Sequence, residues 1–174
     1  LHQAARLGDE AYTRMLNAAA HLAWYRGDLA TALQQAEQLA NYTAKTGLPK
    51  AQVYSALLLG NLYRAQGAFA TAPRWYAPTR ALVKRADVPR CLPWVDVQEG
   101  WLYVLTDDYV TARKLIHQAL TTPDRGQLMS FNVYLALLNL LEGQWATAEN
   151  LLRVAQAFYQ QSGDELASAV IDLY

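Results

Sequence analysis

Leu29-Ala30-Thr31-Ala32 returns three times, as Phe69-Ala70-Thr71-Ala72, Tyr109-Val110-Thr111-Ala112 and Trp145-Ala146-Thr147-Ala148. Two positions before the large apolar residue of each phrase stands Gly27, Gly67, Asp107 or Gly143, spaced 40, 40 and 36 residues apart. Self-similarity at a period of this size marks a chain of stacked supersecondary units. A second phrase marks another kind of turn: Leu7-Gly8-Asp9-Glu10-Ala11, Thr46-Gly47-Leu48-Pro49-Lys50-Ala51 and Ser162-Gly163-Asp164-Glu165-Leu166-Ala167. Ala86-Asp87-Val88-Pro89 and the region of Gly126 fall in the same phase. Two alternating turns at near-constant spacing predict a two-helix unit repeated about four times, with units near 9–46, 47–86, 87–122 and 123–162 in one domain over 1–174.

Helices fill the segments between turns. Inner helices are expected near 10–26, 50–66, 93–106 and 124–142, and outer helices near 28–45, 69–85, 108–121 and 145–161. In the last outer helix Ala148, Leu151, Leu152, Ala155, Phe158 and Tyr159 recur at three- and four-residue steps. Asn150, Arg153, Gln156 and Gln160 fill the other positions, which makes an amphipathic helix. Val133-Tyr134-Leu135-Ala136-Leu137-Leu138 is apolar nearly all round and needs cover on most sides. Gly27 and its counterparts suit the left-handed residue that ends a helix, and Asp28 and Asp108 suit the cap of the next. Pro49 and Thr122-Pro123 are helix openers. Pro73 and Pro78 fall inside the second outer helix, where each removes a backbone donor, so an irregular turn is expected between Thr71 and Thr79. Leu1 to Leu7 reads as the tail of a preceding outer helix and Asp164 to Tyr174 as the start of a fifth inner one. With Leu1 rather than Met at its head, the chain reads as a fragment of a longer array.

Composition agrees with layered helices. Hydrophobic residues make up 53% of the 174 and charged ones 17%, and 15 basic residues balance 15 acidic ones. With no basic stripe, nucleic acid is not expected as a direct partner. Cys91 is the only cysteine, so no internal disulfide can form, which suits a reducing, cytoplasmic setting. The greasiest run, Val133 to Leu141, is far short of the ~20 residues a membrane span needs.

The units resemble the tetratricopeptide repeat, with its W-x2-L-G-x2-Y and A-x3-F pattern. The second unit offers Leu59-Gly60-x2-Tyr63 and then Ala72-x3-Tyr76; the third offers Gly100-x2-Tyr103 and then Ala112-x3-Ile116. The first and fourth keep small residues in the Gly slot, Ala20 and Ala136, and after the turn, Ala32 and Ala148. The resemblance implies an all-α, right-handed solenoid of antiparallel helix pairs, in which Gly and Ala let inner and outer backbones approach while a large residue fills the gap. Units longer than the standard repeat, with Gly-Asp turns, look like the sensor region of MalT-like (LuxR-type) bacterial transcriptional activators. Similar long repeats flank caspase-like CHAT domains and signalling ATPases.

No catalytic or metal-binding constellation emerges, so no enzyme activity, cofactor or metal is expected. His2, His21 and His117 are far apart in sequence and lack partners at ligand spacing. Cys91 with His117 has no orienting group, and Asp107-Asp108 reads as turn and cap.

Family geometry projects a groove-facing set from the inner helices. It comprises Arg14, Asn17, His21, Trp24 and Tyr25 in the first helix and Tyr54, Leu57, Asn61 and Arg64 in the second. Trp94, Val97, Trp101 and Val104 follow in the third, and Val133 and Leu137 in the fourth. Of these, His21, Trp24, Tyr25, Asn61, Arg64, Trp94 and Trp101 are the candidate partner-binding residues, the aromatics for contact area and Asn61 and Arg64 for polar selection. The alternative for Trp94 and Trp101 is burial between units. The functional expectation is a scaffold that recognises a protein, peptide or small effector in a bacterial regulator or signalling protein. The alternative is a structural spacer or self-association module of a multidomain chain.

Overall fold

The computed structural model describes residues 2–171, and their side chains other than those of 2–6, 166, 169 and 170. The His2 side chain and the stretch 172–174 of the expected fifth inner helix lie outside the described residues. Among the described residues the chain is all α, with no strand. Its helices are α1 (His2–Tyr25), α2 (Leu29–Thr46), α3 (Pro49–Ala65), α4 (Pro73–Arg85), α5 (Leu92–Val104), α6 (Tyr109–Ala119), α7 (Arg125–Leu141), α8 (Trp145–Ser162) and α9 (Glu165–Ile171). A 3-10 turn, Pro89–Cys91, precedes α5. The chain divides into two compact units, Leu1–Val95 and Asp96–Tyr174.

Turn chemistry explains the helix ends. Gly27, Gly67, Asp107 and Gly143, the four residues that set the period, all have positive φ, at 81°, 76°, 61° and 74°. After each, the next N–H reaches back to a carbonyl five residues earlier: Asp28 to Ala23, Ala68 to Tyr63, Asp108 to Tyr103 and Gln144 to Asn139. This is the Schellman closure, which satisfies carbonyls that the helix leaves without partners. The other turn has its left-handed residue at Gly47, Asp87 and Gly163, with φ of 67°, 51° and 73°. The same closure follows Asp87 and Gly163, from Val88 to Val83 and from Asp164 to Tyr159, while Gly47 caps α2 with its own N–H on the Thr43 carbonyl. Asp28 and Asp108 accept from the Thr31 and Thr111 N–H groups at 3.0 Å, as N-caps do.

Three expectations are corrected. No turn forms at Gly8: α1 runs unbroken from His2 to Tyr25, and the Asp9 carboxylate accepts from the Tyr42 hydroxyl at 2.6 Å instead of capping a helix. The second outer helix starts at Pro73, not near residue 69, because Pro at the first helical position has no N–H to lose. Residues 68–72 form turns closed by Thr71 and Ala72 N–H groups on the Ala68 carbonyl. Helix α4 then continues through Pro78, so of the two prolines only the first stands at a break in the helix. Gly126 lies inside α7, which is opened by Asp124 accepting from the Gln127 N–H at 3.1 Å.

Within the first unit consecutive helices run antiparallel. Asp9 of α1 meets Tyr42 of α2, and three residues further along α1 Tyr12 accepts from Gln38, four residues further back in α2. Thr43, late in α2, accepts through its carbonyl from Gln52 early in α3. The core gathers Ala20 and Ala23 of α1, Ala32 and Ala36 of α2, and Leu58, Leu59 and Leu62 of α3. The expected close approach is present between α3 and α4: a Cβ built on Gly60 would lie 2.7 Å from the Tyr76 ring. Tyr76 is fully buried, and its hydroxyl donates to the Asn61 side-chain amide oxygen, Oδ1, at 2.9 Å.

The second unit packs α6 on α7, α7 on α8 and α8 on α9. A Cβ on Gly100 would meet Ile116 at 3.1 Å and the Ala112 carbonyl at 3.2 Å, which is the small-residue contact in the expected register. Ala112 and Ala148 are both fully buried. Arg113 of α6 donates to Asn139 at 2.7 Å and pairs with Glu142, bracing the C-terminal end of α7.

Candidate binding face on the inner helices

Helices α1 and α3 are the inner pair of the first unit, and they touch directly. Their register follows from the period: Ala20 and Gly60 stand 40 residues apart and occupy the same slot against their outer helices. The N-terminal halves of the two helices frame a hollow of about 500 Å³. Glu10, Thr13 and Arg14 line it from α1, Pro49, Lys50, Ala51 and Tyr54 from α3. A smaller adjoining hollow of about 220 Å³ adds Asn17 and Leu39 to Thr13, Arg14, Ala51 and Tyr54.

These walls are chemically mixed. The Arg14 side chain is 82% exposed and stands 3.7 Å from Glu10, a loose surface pair that leaves the guanidinium available. Tyr54 is 52% exposed. Its phenol is raised above the ordinary tyrosine range by burial of the ring's inner side and then by the Cys91 thiol beside it, while Arg90 pulls it back. A cation, an aromatic face and a hydroxyl thus converge on one concavity, the arrangement expected of a binding site more than of a helix contact.

The remaining candidates separate into three environments. His21, Trp24 and Tyr25 cluster at the C-terminal end of α1, where the Trp24 and Tyr25 rings stack at 6.1 Å and the His21 Nδ1 lies 2.8 Å from the Asn17 carbonyl. Trp24 also packs on the core, whereas Tyr25 is 80% exposed. Asn61 and Arg64 are buried, and Asn61 is engaged inside by Tyr76 rather than turned outward. Trp94 is half-buried in the first unit. Trp101 is half-buried in the second, its ring edge-on to Tyr134 at 5.6 Å. Arg14, Asn17 and Tyr54 belong to the groove-facing set of the sequence, and the structure brings these three together. Lys50 and Glu10 were missed, although Lys50 directly follows the Pro49 opener and so had to stand at the mouth of the helix.

Among the described residues no group of three His, Cys, Asp or Glu side chains is placed to hold a metal ion. None of the described helices is long and apolar enough to cross a membrane.

No protein-family model matches the sequence, and no curated protein matches it. Among solved structures the chain is similar to the crystal structure of BtubC (BKLC) from P. vanneervenii, with a TM-score of 0.66 at 18% sequence identity. The similarity covers 89% of this chain and 66% of that one. At that identity the likeness speaks to the helical fold alone.

Proposed function

We propose that this chain is a non-enzymatic binding module, a right-handed superhelix of about four tetratricopeptide-type helix pairs. It takes a protein, peptide or small effector on the inner-helix face of its first unit. The context that suits it is a cytoplasmic bacterial transcriptional regulator or signalling protein of the MalT-like (LuxR-type) kind, in which attached domains respond to what is bound. The hollow between α1 and α3 carries this reading, because Arg14 and Tyr54 remain accessible there, a cation and a phenol on one concave wall. Solenoids present their ligands to such inner faces. The test places a photo-crosslinking amino acid at Tyr54 and, separately, at Val154 on the outer helix α8, in the full-length protein in its own cells. Adducts with a different molecule at Tyr54 and none at Val154 are expected. An absence of adducts at Tyr54, or equal capture at both, would reject the reading.

A second reading, the spacer or self-association module, is favoured by one observation. Leu7, Met15 and Leu22 of α1 are 62%, 56% and 50% exposed and recur along one side of the helix. An adduct of the chain with its own mass, or sedimentation that rises with concentration, would support that reading over the first.

A further inference from the structure

Resting on the binding role given to the first unit, we propose that the hollow between α1 and α3 takes an acidic protein segment, held by two cationic turns that flank it. The chain's zero net charge conceals a division. Residues 1–95 carry 11 Lys and Arg against 5 Asp and Glu, while residues 96–174 carry 4 against 10. Part of the first unit's surplus is repeated. Lys45-Thr46-Gly47-Leu48-Pro49-Lys50 and Arg85-Ala86-Asp87-Val88-Pro89-Arg90 stand 40 residues apart. Each reads as a cation, one further residue, a left-handed residue, an aliphatic one, Pro and a second cation. No basic run appears in the sequence, because the fold is what brings the two turns together. Leu48, Pro49 and Lys50 of the first turn and Ala86 of the second line the same hollow. Arg90 and Cys91 act on the Tyr54 phenol in its wall, and Arg14 adds a cation from α1. The acids nearby are Glu10, 3.7 Å from Arg14, and Asp87, which holds the left-handed position. The matching turn of the second unit, Gln161-Ser162-Gly163-Asp164-Glu165-Leu166, has no cation.

Helix stability accounts for only some of these charges. Lys45, Lys84 and Arg85 stand in the last turns of α2 and α4, where a cation complements the helix dipole. Lys50 opens α3 and Arg90 lies in the 3-10 turn that leads into α5, places where the dipole repels a cation. Elsewhere the chain sets a carboxylate there: Asp28, Asp108 and Asp124 cap α2, α6 and α7. Lys45, Lys50, Lys84 and Arg85 are exposed, and among the described residues no carboxylate pairs with them. Cations set against the dipole around a concavity answer an anion from outside. The spacing selects a peptide. Neighbouring packed helices stand about 8–10 Å apart, and an extended chain advances about 3.3–3.6 Å per residue. Carboxylates three residues apart therefore match the step from one turn to the next. An apolar residue between them meets Leu48, Pro49, Ala51 and Tyr54, a wall that a nucleic acid would leave unused.

The test titrates the full-length protein with a fluorescein-labelled decapeptide, glutamate at every third position and leucine and serine between, and reads anisotropy. Saturable binding is expected, and exchanging the glutamates for glutamine should weaken it roughly tenfold or more. Lys50→Gln with Arg90→Gln should do the same, and Lys50→Gln alone should weaken binding roughly threefold. Lys114→Gln, in the second unit, should leave it unchanged. Lys50→Gln should also melt no lower than the parent, since the lysine opposes the dipole of α3. No saturation, equal binding of the two peptides, or an equal loss in Lys114→Gln would overturn the proposal. So would a lower Tm for Lys50→Gln, which makes the lysine structural, or tighter binding of an oligothymidylate than of the glutamate peptide. Adducts at Tyr54 in cells without peptide binding keep the binding role and reject the acidic partner; peptide binding without those adducts does the reverse.

Discussion

The pairs α3–α4 and α7–α8 fill one slot with different residues. In the first, Gly60 is the wall and the Tyr76 ring presses against it, so that a single added carbon would stand at 2.7 Å. In the second, Ala136 takes the place of Gly60 and Leu152 that of Tyr76, both within one buried cluster. The wall gains a methyl group and the knob loses a ring. What the repeat preserves is the summed volume across the contact, as close-packed interiors require. Only the larger knob carries a polar end, and only there does the neighbouring residue, Asn61, supply its partner.

The largest effect should come from removing the larger knob. Tyr76→Ala is expected to cost about 3–5 kcal/mol, through an aromatic-sized cavity and an Asn61 side-chain amide oxygen left without its donor. Leu152→Ala should cost less, about 2–3 kcal/mol, because Leu152 is still 9% exposed and leaves a smaller void. Urea unfolding of the two variants beside the parent checks this. Equal losses would mean that the two slots are not equivalent in kind.

Gly60→Ala sharpens the same comparison from the wall side. The added methyl collides with a fully buried ring and should cost about 1–3 kcal/mol. Adding Tyr76→Leu imitates the Ala136–Leu152 solution and should return part of that loss, which a double-mutant cycle reads directly. Ala112→Leu and Ala148→Leu should overpack in the same range, since both alanines have no exposed surface. No coupling between Gly60 and Tyr76 would refute the volume argument.

The contrast also separates what could be read in the sequence from what could not. The helical class, the four turns and the small-residue contacts were legible because each has a local chemical mark: glycine or Asp at a positive φ, Asp at a cap, Gly or Ala opposite a bulky residue. The false turn at Gly8 had the same mark, but its Asp9 found Tyr42, 33 residues away, a contact no local pattern contains. Site residues were harder for the same reason. Asn61 looks identical in sequence whether it faces a groove or a tyrosine hydroxyl. Arg14 and Tyr54 come together only because α1 and α3 pack side by side.

A smaller effect distinguishes the turns. Gly67 and Asp107 close equivalent turns, yet Asp107 holds φ at 61° with a side chain that disfavours it. Asp107→Gly should therefore stabilise by about 0.5–1 kcal/mol, and Gly67→Ala should destabilise by a similar amount. The space around Gly67 is open, with nothing within 4 Å of an added Cβ, so the effect there is conformational only. Thermal melts of the two variants decide it. A loss of stability in Asp107→Gly would show that its contact with the Tyr109 hydroxyl, at 3.3 Å, outweighs the backbone term.

The smallest expected effect compares the caps of α2 and α6 with that of α8. Asp28 and Asp108 are held below the ordinary carboxylate range by hydrogen bonds from Thr31 and Thr111, side chain first and backbone second. A carboxyl whose folded pKa is depressed stabilises the fold when ionised. That contribution is complete above the unfolded value near ~3.9 and disappears as pH falls through the folded value. Helix α8 begins after Gln144, which makes no side-chain cap bond and does not titrate. Amide exchange followed as pH is lowered through the carboxylate range should thus show the Thr31 and Thr111 N–H groups losing protection relative to Thr147, the matching residue of α8. Asp28→Asn and Asp108→Asn should flatten that difference, because an amide oxygen still caps but no longer titrates. If Thr147 loses protection in step with Thr31 and Thr111, acid is opening the whole helical array rather than its capped ends, and the distinction between the caps falls.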